Sequence, residues 1–408
     1  MKKIIVLIMP FLLLCGCTAQ VPQQITEKTT KVPEKSEYVK AVWIAYYELQ
    51  ELMSVNENQF RENIEKAFKN LKNMGFNTAC VQVRPCADAF YYSKYFPVSK
   101  YCFGRQGSDL PFDPLSVMCS AAKDTGIEIE AWVNPYRVSQ DNKVDELAEN
   151  NIARIWLDNE KTESYVYKSK SAIYFNPAVE DVTELIVNGV KEIAENYDIS
   201  AIHFDDYFYP TTNKNIDKKQ YDKYKEDGGK MSLANFRRSR VSDMVKRSYS
   251  AVKSVNKNIR FGISPASNIN NDYSVLYADV EKWISEEGYV DYICPQVYFG
   301  FKNVYQPFMF TVKKWSYITN CDLYIGLPLY KAGKKDKYAS EQNENAINEF
   351  VNNDNIIARQ IEYISKLDAV KGFYVFSYSS LSDEKCAKEV ANMLSSSMFT
   401  EESKTSNS

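Results

Sequence analysis

The stretch Ala201-Ile202-His203-Phe204-Asp205-Asp206-Tyr207-Phe208-Tyr209-Pro210 begins as an apolar, β-branched and aromatic run and ends in two adjacent carboxylates, three rings and a proline. A continuous apolar run of this kind is the mark of a strand buried on both faces, as in a parallel sheet covered by helices. In an α/β barrel the C-terminal end of such a strand faces the functional cavity, so paired carboxylates placed there read as chemistry. The competing reading is a turn that uses Asp as a cap. Rings beside carboxylates also suit a sugar ligand, whose C–H faces stack on π surfaces.

Working outward, seven more runs of this type appear at 40–47, 77–85, 128–135, 260–266, 291–299, 323–330 and 372–381. Helix-period segments lie between most of them. In 59–75, Phe60, Ile64, Phe68, Leu71 and Met74 mark one face and Gly75 closes the helix. The same period runs through 182–197, 233–255, 345–367 and 384–394. Eight alternating units predict a (β/α)8 TIM barrel, a single elaborated α/β domain over 38–394 with long rim loops at 136–178 and 210–232. No glycine-rich phosphate loop follows any strand, which weakens nucleotide-binding alternatives.

The predicted strand ends collect polar and aromatic residues that would be an odd way to stabilise a barrel. They are Trp43, Tyr47 and Glu48; Gln82, Arg84 and Asp88; Trp132, Asn134, Tyr136 and Arg137; His203, Asp205, Asp206 and Tyr207; Ser264; Gln296 and Tyr298; and Phe376, Ser377 and Tyr378. Their convergence on one cavity is the main argument for an enzyme. Trp43 and Trp132 fit the core as well as they fit a stacking platform. The single histidine, His203, makes a His-rich zinc hydrolase improbable, so no metal and no other cofactor is expected. By strand parity His203 shares a face with Asp205 and reads as a polar support inside the barrel.

With 50 basic and 53 acidic residues, and no basic run interleaved with aromatics, the chain has no nucleic-acid character. Lys2, Lys3 and the apolar stretch 4–14 read as an export signal, and Leu14-Cys15-Gly16-Cys17 resembles a lipobox with Cys17 as the lipidated residue. Residues 1–17 are therefore expected to be a lipoprotein signal, 18–37 a flexible tether, and 395–408 a disordered tail. The expected location is extracytoplasmic, anchored to the membrane by lipid. The other seven cysteines show no CxxC pair, and read as small buried hydrophobes, with a disulfide among Cys86, Cys102 and Cys119 left open.

Seven motifs, in order, carry a family resemblance: Ala41-Val42-Trp43-Ile44, Gly75-Phe76-Asn77-Thr78, Val81-Gln82-Val83-Arg84-Pro85, Trp132-Val133-Asn134-Pro135-Tyr136-Arg137, Phe175-Asn176-Pro177, the 203–210 stretch and Pro295-Gln296-Val297-Tyr298. Together they resemble the glycosyl hydrolase-like 10 lipoproteins, across essentially the whole of 38–394. The resemblance implies a (β/α)8 fold and hydrolysis of peptidoglycan glycan strands that have lost their stem peptides. Two rivals stay open: a hydrolase of another amino-sugar exopolysaccharide, and a non-catalytic glycan-binding lipoprotein. A more distant likeness is to the hydrolase domain of poly-N-acetylglucosamine deacetylases.

The seventh predicted strand ends without a carboxylate, so the usual second acid is missing there. One scheme makes Asp206 the general acid, with Asp205 orienting either Asp206 or a substrate acetamido group, and Gln296 or Tyr298 bonding the acetamide. A second makes Glu48 or Asp88 the base. Arg84 and Arg137 are expected to bind the lactyl carboxylates of such a glycan, or else to pair with Glu130 or Asp88 inside the barrel.

Overall fold

The computed structural model describes residues 38–400. The signal, Cys17, the tether and 401–408 lie outside the described residues. Eight parallel strands close into a barrel: β1 (Val39–Ile44), β2 (Thr78–Arg84), β3 (Glu128–Val133), β4 (Ala201–Phe204), β5 (Arg260–Ile263), β6 (Tyr292–Ile293), β7 (Asp322–Leu327) and β8 (Val370–Phe376). Each strand pairs with its neighbours in sequence, and β8 closes on β1. Helices α1 (Glu57–Asn73), α2 (Pro114–Thr125), α3 (Glu180–Asn196), α4 (Leu233–Val255), α5 (Val280–Ser285), α6 (Phe308–Ile318), α7 (Ile356–Ile364) and α8 (Ala387–Leu394) follow the strands in turn. The (β/α)8 expectation holds.

Side-chain alternation along each strand divides the core in two. Outward residues such as Val42, Val81, Ile202, Phe204 and Ile325 join the layer under the helices. Inward residues Trp43, Cys80, Trp132, Tyr292, Cys294, Tyr324 and Tyr374 fill the barrel. Room for these rings comes from opposite glycines: a Cβ on Gly262 would lie 2.1 Å from the Tyr292 ring. All seven described cysteines are free thiols, so no disulfide joins Cys86, Cys102 and Cys119.

Three expectations change. The 345–367 helix is broken into Glu344–Ile347, Glu349–Asn352 and α7, because the Asn352-Asn353-Asp354-Asn355 run offers the backbone side-chain partners in place of helix bonds. Glu389 of α8 then accepts from the Ile356 and Ile357 amides at 2.9 and 2.7 Å, capping the restarted α7. The tail does not fray from 395: Ser397–Thr400 is helical and Phe399 packs on Phe76 and Phe373. Finally, the loop after β3 contains a three-stranded antiparallel sheet, Arg137–Ser139, Val166–Lys168 and Ile173–Phe175.

Candidate active site

The carboxylate pair sits where β4 ends. Phe204 is the last strand residue, so the strict alternation of faces no longer binds Asp206. Both aspartates therefore line the same cleft, a hollow of about 510 Å³ at the C-terminal end of the barrel. Asp205 is buried and tightly held. Its Oδ2 accepts from Trp132 Nε1 at 3.0 Å and Asn134 Nδ2 at 3.1 Å, and the Tyr207 amide reaches Oδ1 at 3.3 Å. Burial pushes its pKa up to about 7, with the Arg137 charge pulling the other way and Asp206 adding to the rise. Asp206 is partly exposed to the cleft, and burial among its neighbours raises its pKa too, opposed by the Gln296 amide.

The loop carrying Asp206 is clamped from below. Asp217 and Arg237 form a fully buried pair at 2.6 Å. Tyr209 Oη donates to Asp217 at 2.7 Å, and the Arg237 guanidinium also donates to the carbonyls of Thr212 and Asn213. Three polar groups from 209–217, the Asp217 carboxylate and the two carbonyls, thus converge on the Arg237 side chain of α4. The loop is long, but it is not loose.

Of the sequence-predicted site residues, Trp43, Trp132, Arg137, His203, Asp205, Asp206, Tyr207, Gln296 and Tyr298 line the cleft. Arg137 lies over the Tyr207 ring at 4.9 Å, with its Nε donating to the Pro85 carbonyl. Others do not reach the cleft. Asn134 works one layer back, holding Asp205 and accepting from the Arg137 amide. Glu48 is buried at the start of the helix Tyr46–Leu52. There it accepts from the Ala45 and Ser379 amides and the Ser377 hydroxyl, which uses it as a cap and removes it as a base. Asp88 is buried against Gln106. Tyr136 is fully buried. Arg84 is fully buried with its guanidinium 4.5 Å above the Phe96 ring, because a register shift between Gln82 and Arg84 turns it off the cleft. That rules out Arg84 as a contact for substrate.

Tyr47, Gln82, Ser264 and Phe376, from the predicted strand ends, line it too, and the structure adds Tyr46, Gln140, Ser171, Ala172 and Tyr174 to the wall. Gln140, Ser171, Ala172 and Tyr174 come from the small sheet and its turns. Behind the cleft lies Asp272, fully buried, with the Ala266 backbone as the one polar group near its carboxyl that favours ionisation. Burial, reinforced by the charge of Asp206, pushes its pKa up to about 9, so it stays a neutral acid at pH 7.

Deeper in the barrel, His203 Nε2 accepts from Trp43 Nε1 at 3.3 Å, which leaves Nδ1–H to donate to Tyr292 Oη at 2.9 Å. Tyr292 and Tyr374 donate to Glu130 at 3.2 and 2.8 Å. Burial drops the His203 pKa to about 3, so the ring is neutral, and lifts Glu130 to about 7. Cys80, Glu130 and His203 bring donor atoms within 4.8 Å of one another, but both His203 nitrogens are already engaged.

Residues 38–343 match the model of the family described as glycosyl hydrolase-like 10. The chain belongs to that family. It is 32% identical over 371 residues to the glycosyl hydrolase YngK of Bacillus subtilis (strain 168), covering 84% of this chain and 68% of that one. It is 28% identical over 369 residues to the glycosyl hydrolase DigH of Escherichia coli (strain K12), covering 80% and 82%. The PgaB (BpsB) glycoside hydrolase domain from Bordetella bronchiseptica superposes with a TM-score of 0.60 at 11% identity, over 88% of this chain and 99% of that one. The catalytic domain of a β-amylase from Paenibacillus polymyxa gives 0.56 at 12%, over 89% and 98%. These two structures share the barrel fold. By family, the protein is a glycosidase.

Proposed function

We propose that the protein cleaves glycan strands of peptidoglycan that lack stem peptides, with Asp206 as general acid. The observation that carries this reading is the contrast within the pair: Asp205 is held inside the wall by three donors, while Asp206 opens to the cleft. Burial also raises the Asp206 pKa, which favours the protonated form that a general acid requires. Asp206 gives its proton to the glycosidic oxygen as the C1–O bond breaks. Asp205 orients the substrate acetamido group, whose carbonyl oxygen takes the place of a nucleophile on C1 until water displaces it. Strand β7 runs into Leu327-Pro328-Leu329 with no acid, which fits substrate assistance. Gln296 and Tyr298 bond the acetamide, and Arg137 takes the lactyl carboxylate left bare when the peptide is removed. Tyr47, Tyr174 and Tyr207 supply ring faces for the sugars. We place the domain outside the cytoplasmic membrane, held by lipid on Cys17.

The test is digestion of peptidoglycan before and after amidase removal of its peptides, with released fragments identified by mass spectrometry. Fragments from stripped glycan alone support the reading. Equal release from a muramic-acid-free amino-sugar polymer would move the substrate to an exopolysaccharide. Tight pelleting on the wall without any cleavage would leave a binding protein.

A further inference from the structure

A cleft of about 510 Å³ holds only a few sugar rings, so a longer strand has to leave it across the rim. The loops after β6 (300–307) and β7 (328–343) lie on that rim, and three observations make them unusual. First, they are tied to the cleft and to each other. Lys331 Nζ donates to the carbonyl of Tyr298, a cleft residue, at 2.7 Å and to Asp336 at 2.8 Å. The Val304 amide donates to the Ala339 carbonyl at 3.0 Å, and Asn303 accepts from the Tyr305 and Gln306 amides. Second, they expose rings: Tyr305 is 61% and Tyr338 85% accessible. Third, they are basic. Residues 331–338 hold four lysines, Lys331, Lys334, Lys335 and Lys337, against the single acid Asp336, whereas the whole chain carries a net charge of −3. Lys331 is used internally by Asp336, which leaves Lys334, Lys335 and Lys337 exposed.

We propose that Tyr305, Tyr338 and these three lysines form a distal subsite for an anionic amino-sugar strand whose other end occupies the cleft. This rests on the glycan reading above and names the feature of the polymer that is recognised at a distance. Tyrosine faces take the pyranose C–H surface, and lysines take the carboxylate borne by every second sugar of a stripped strand. Such a site acts as a second point of attachment, so it favours long strands over short ones without touching the bond-breaking step. The apolar neighbours Val304, Met309 and Phe310 are also exposed, and a lipid surface is the rival occupant.

The experiment compares the full chain with Tyr305→Ala/Tyr338→Ala and with Lys334→Gln/Lys335→Gln/Lys337→Gln. Substrates are long amidase-stripped strands, the same strands with carboxyls reduced to alcohols, and a stripped tetrasaccharide. Both variants are expected to raise KM for long strands about tenfold at unchanged kcat, and to leave tetrasaccharide turnover as in wild type. That turnover also reports that the variants are folded. On reduced strands, which also lose the Arg137 contact, wild type and the lysine variant should share one KM. Wild-type KM for long strands in both variants would overturn the subsite. So would lost binding to phosphatidylglycerol vesicles with long-strand KM intact, which would assign the patch to lipid. If wild type cleaves neither strand nor tetrasaccharide, the glycan reading has failed before any variant is compared.

Discussion

Two carboxyl groups in this barrel have pKa values lifted by burial to about 7, and they live in opposite worlds. Glu130, low in the barrel, is sealed by Tyr292 and Tyr374 and faces no cavity. Asp205, at the rim, has a partner of its own type next door and a cleft above it. The same physical cause, loss of hydration, thus gives a structural acid in one place and a candidate catalytic pair in the other. A perturbed pKa marks burial; access to substrate marks chemistry.

The largest expected effect breaks the rim half of this comparison. Asp206→Asn should lower kcat on stripped glycan by about 10²–10⁴-fold, the range of general acid catalysis, with the thermal midpoint within about 2 °C of wild type. Next comes the clamp beneath it. Arg237→Ala leaves Asp217 buried without its cation and should cost about 3–5 kcal/mol in urea unfolding, with the 209–217 loop becoming protease-sensitive. An Arg237→Ala protein as stable as wild type would show that the loop is held some other way.

A smaller effect sharpens the coupling between the aspartates. Each ionised partner makes it harder for the other to ionise, so activity should decline on the alkaline side as the pair loses its proton near pH 7. Asp205→Asn removes one charge and should move the alkaline limb of the residual activity to lower pH. A limb that stays in place would separate Asp206 from its neighbour. The smallest effect belongs to Glu130. In the folded chain it keeps its proton to about pH 7, against an ordinary value of 4.5. The folded state therefore binds more protons between those values, and stability falls as pH rises through that window before levelling off. Glu130→Gln should make the decline of the thermal midpoint between pH 4.5 and 7 shallower. Asp205 contributes with the same sign, so part of the slope remains.

Which parts were legible in the sequence follows from how local the signal is. The eight strands announce themselves because a strand buried on both faces is a short, unbroken apolar run, and the helices because their apolar faces repeat. Asp205 and Asp206 were legible because they directly follow such a run. Arg84 was misplaced because it stands at the end of β2, two residues after the cleft residue Gln82, and the register shift between them leaves no mark in the sequence. Glu48 looked like a rim acid. Its place at the third helical position after Ala45 is a capping signal that the sequence does hold. Tyr174 was missed because the small sheet lies in a long loop, although the buried–open–buried alternation of Ile173, Tyr174 and Phe175 is a short strand pattern. Asp272 carried no local signal. Only tertiary packing brings its short helix, Ile269–Ser274, behind Asp206.

The most direct test of the distinction between the rim aspartate pair and the barrel acid is a side-by-side measurement of kcat on stripped glycan strands for Asp206→Asn and Glu130→Gln. The account predicts at least about a hundredfold loss for the first and less than about tenfold for the second, both proteins remaining folded. Near wild-type turnover by Asp206→Asn, with collapse in a folded Glu130→Gln, would contradict it.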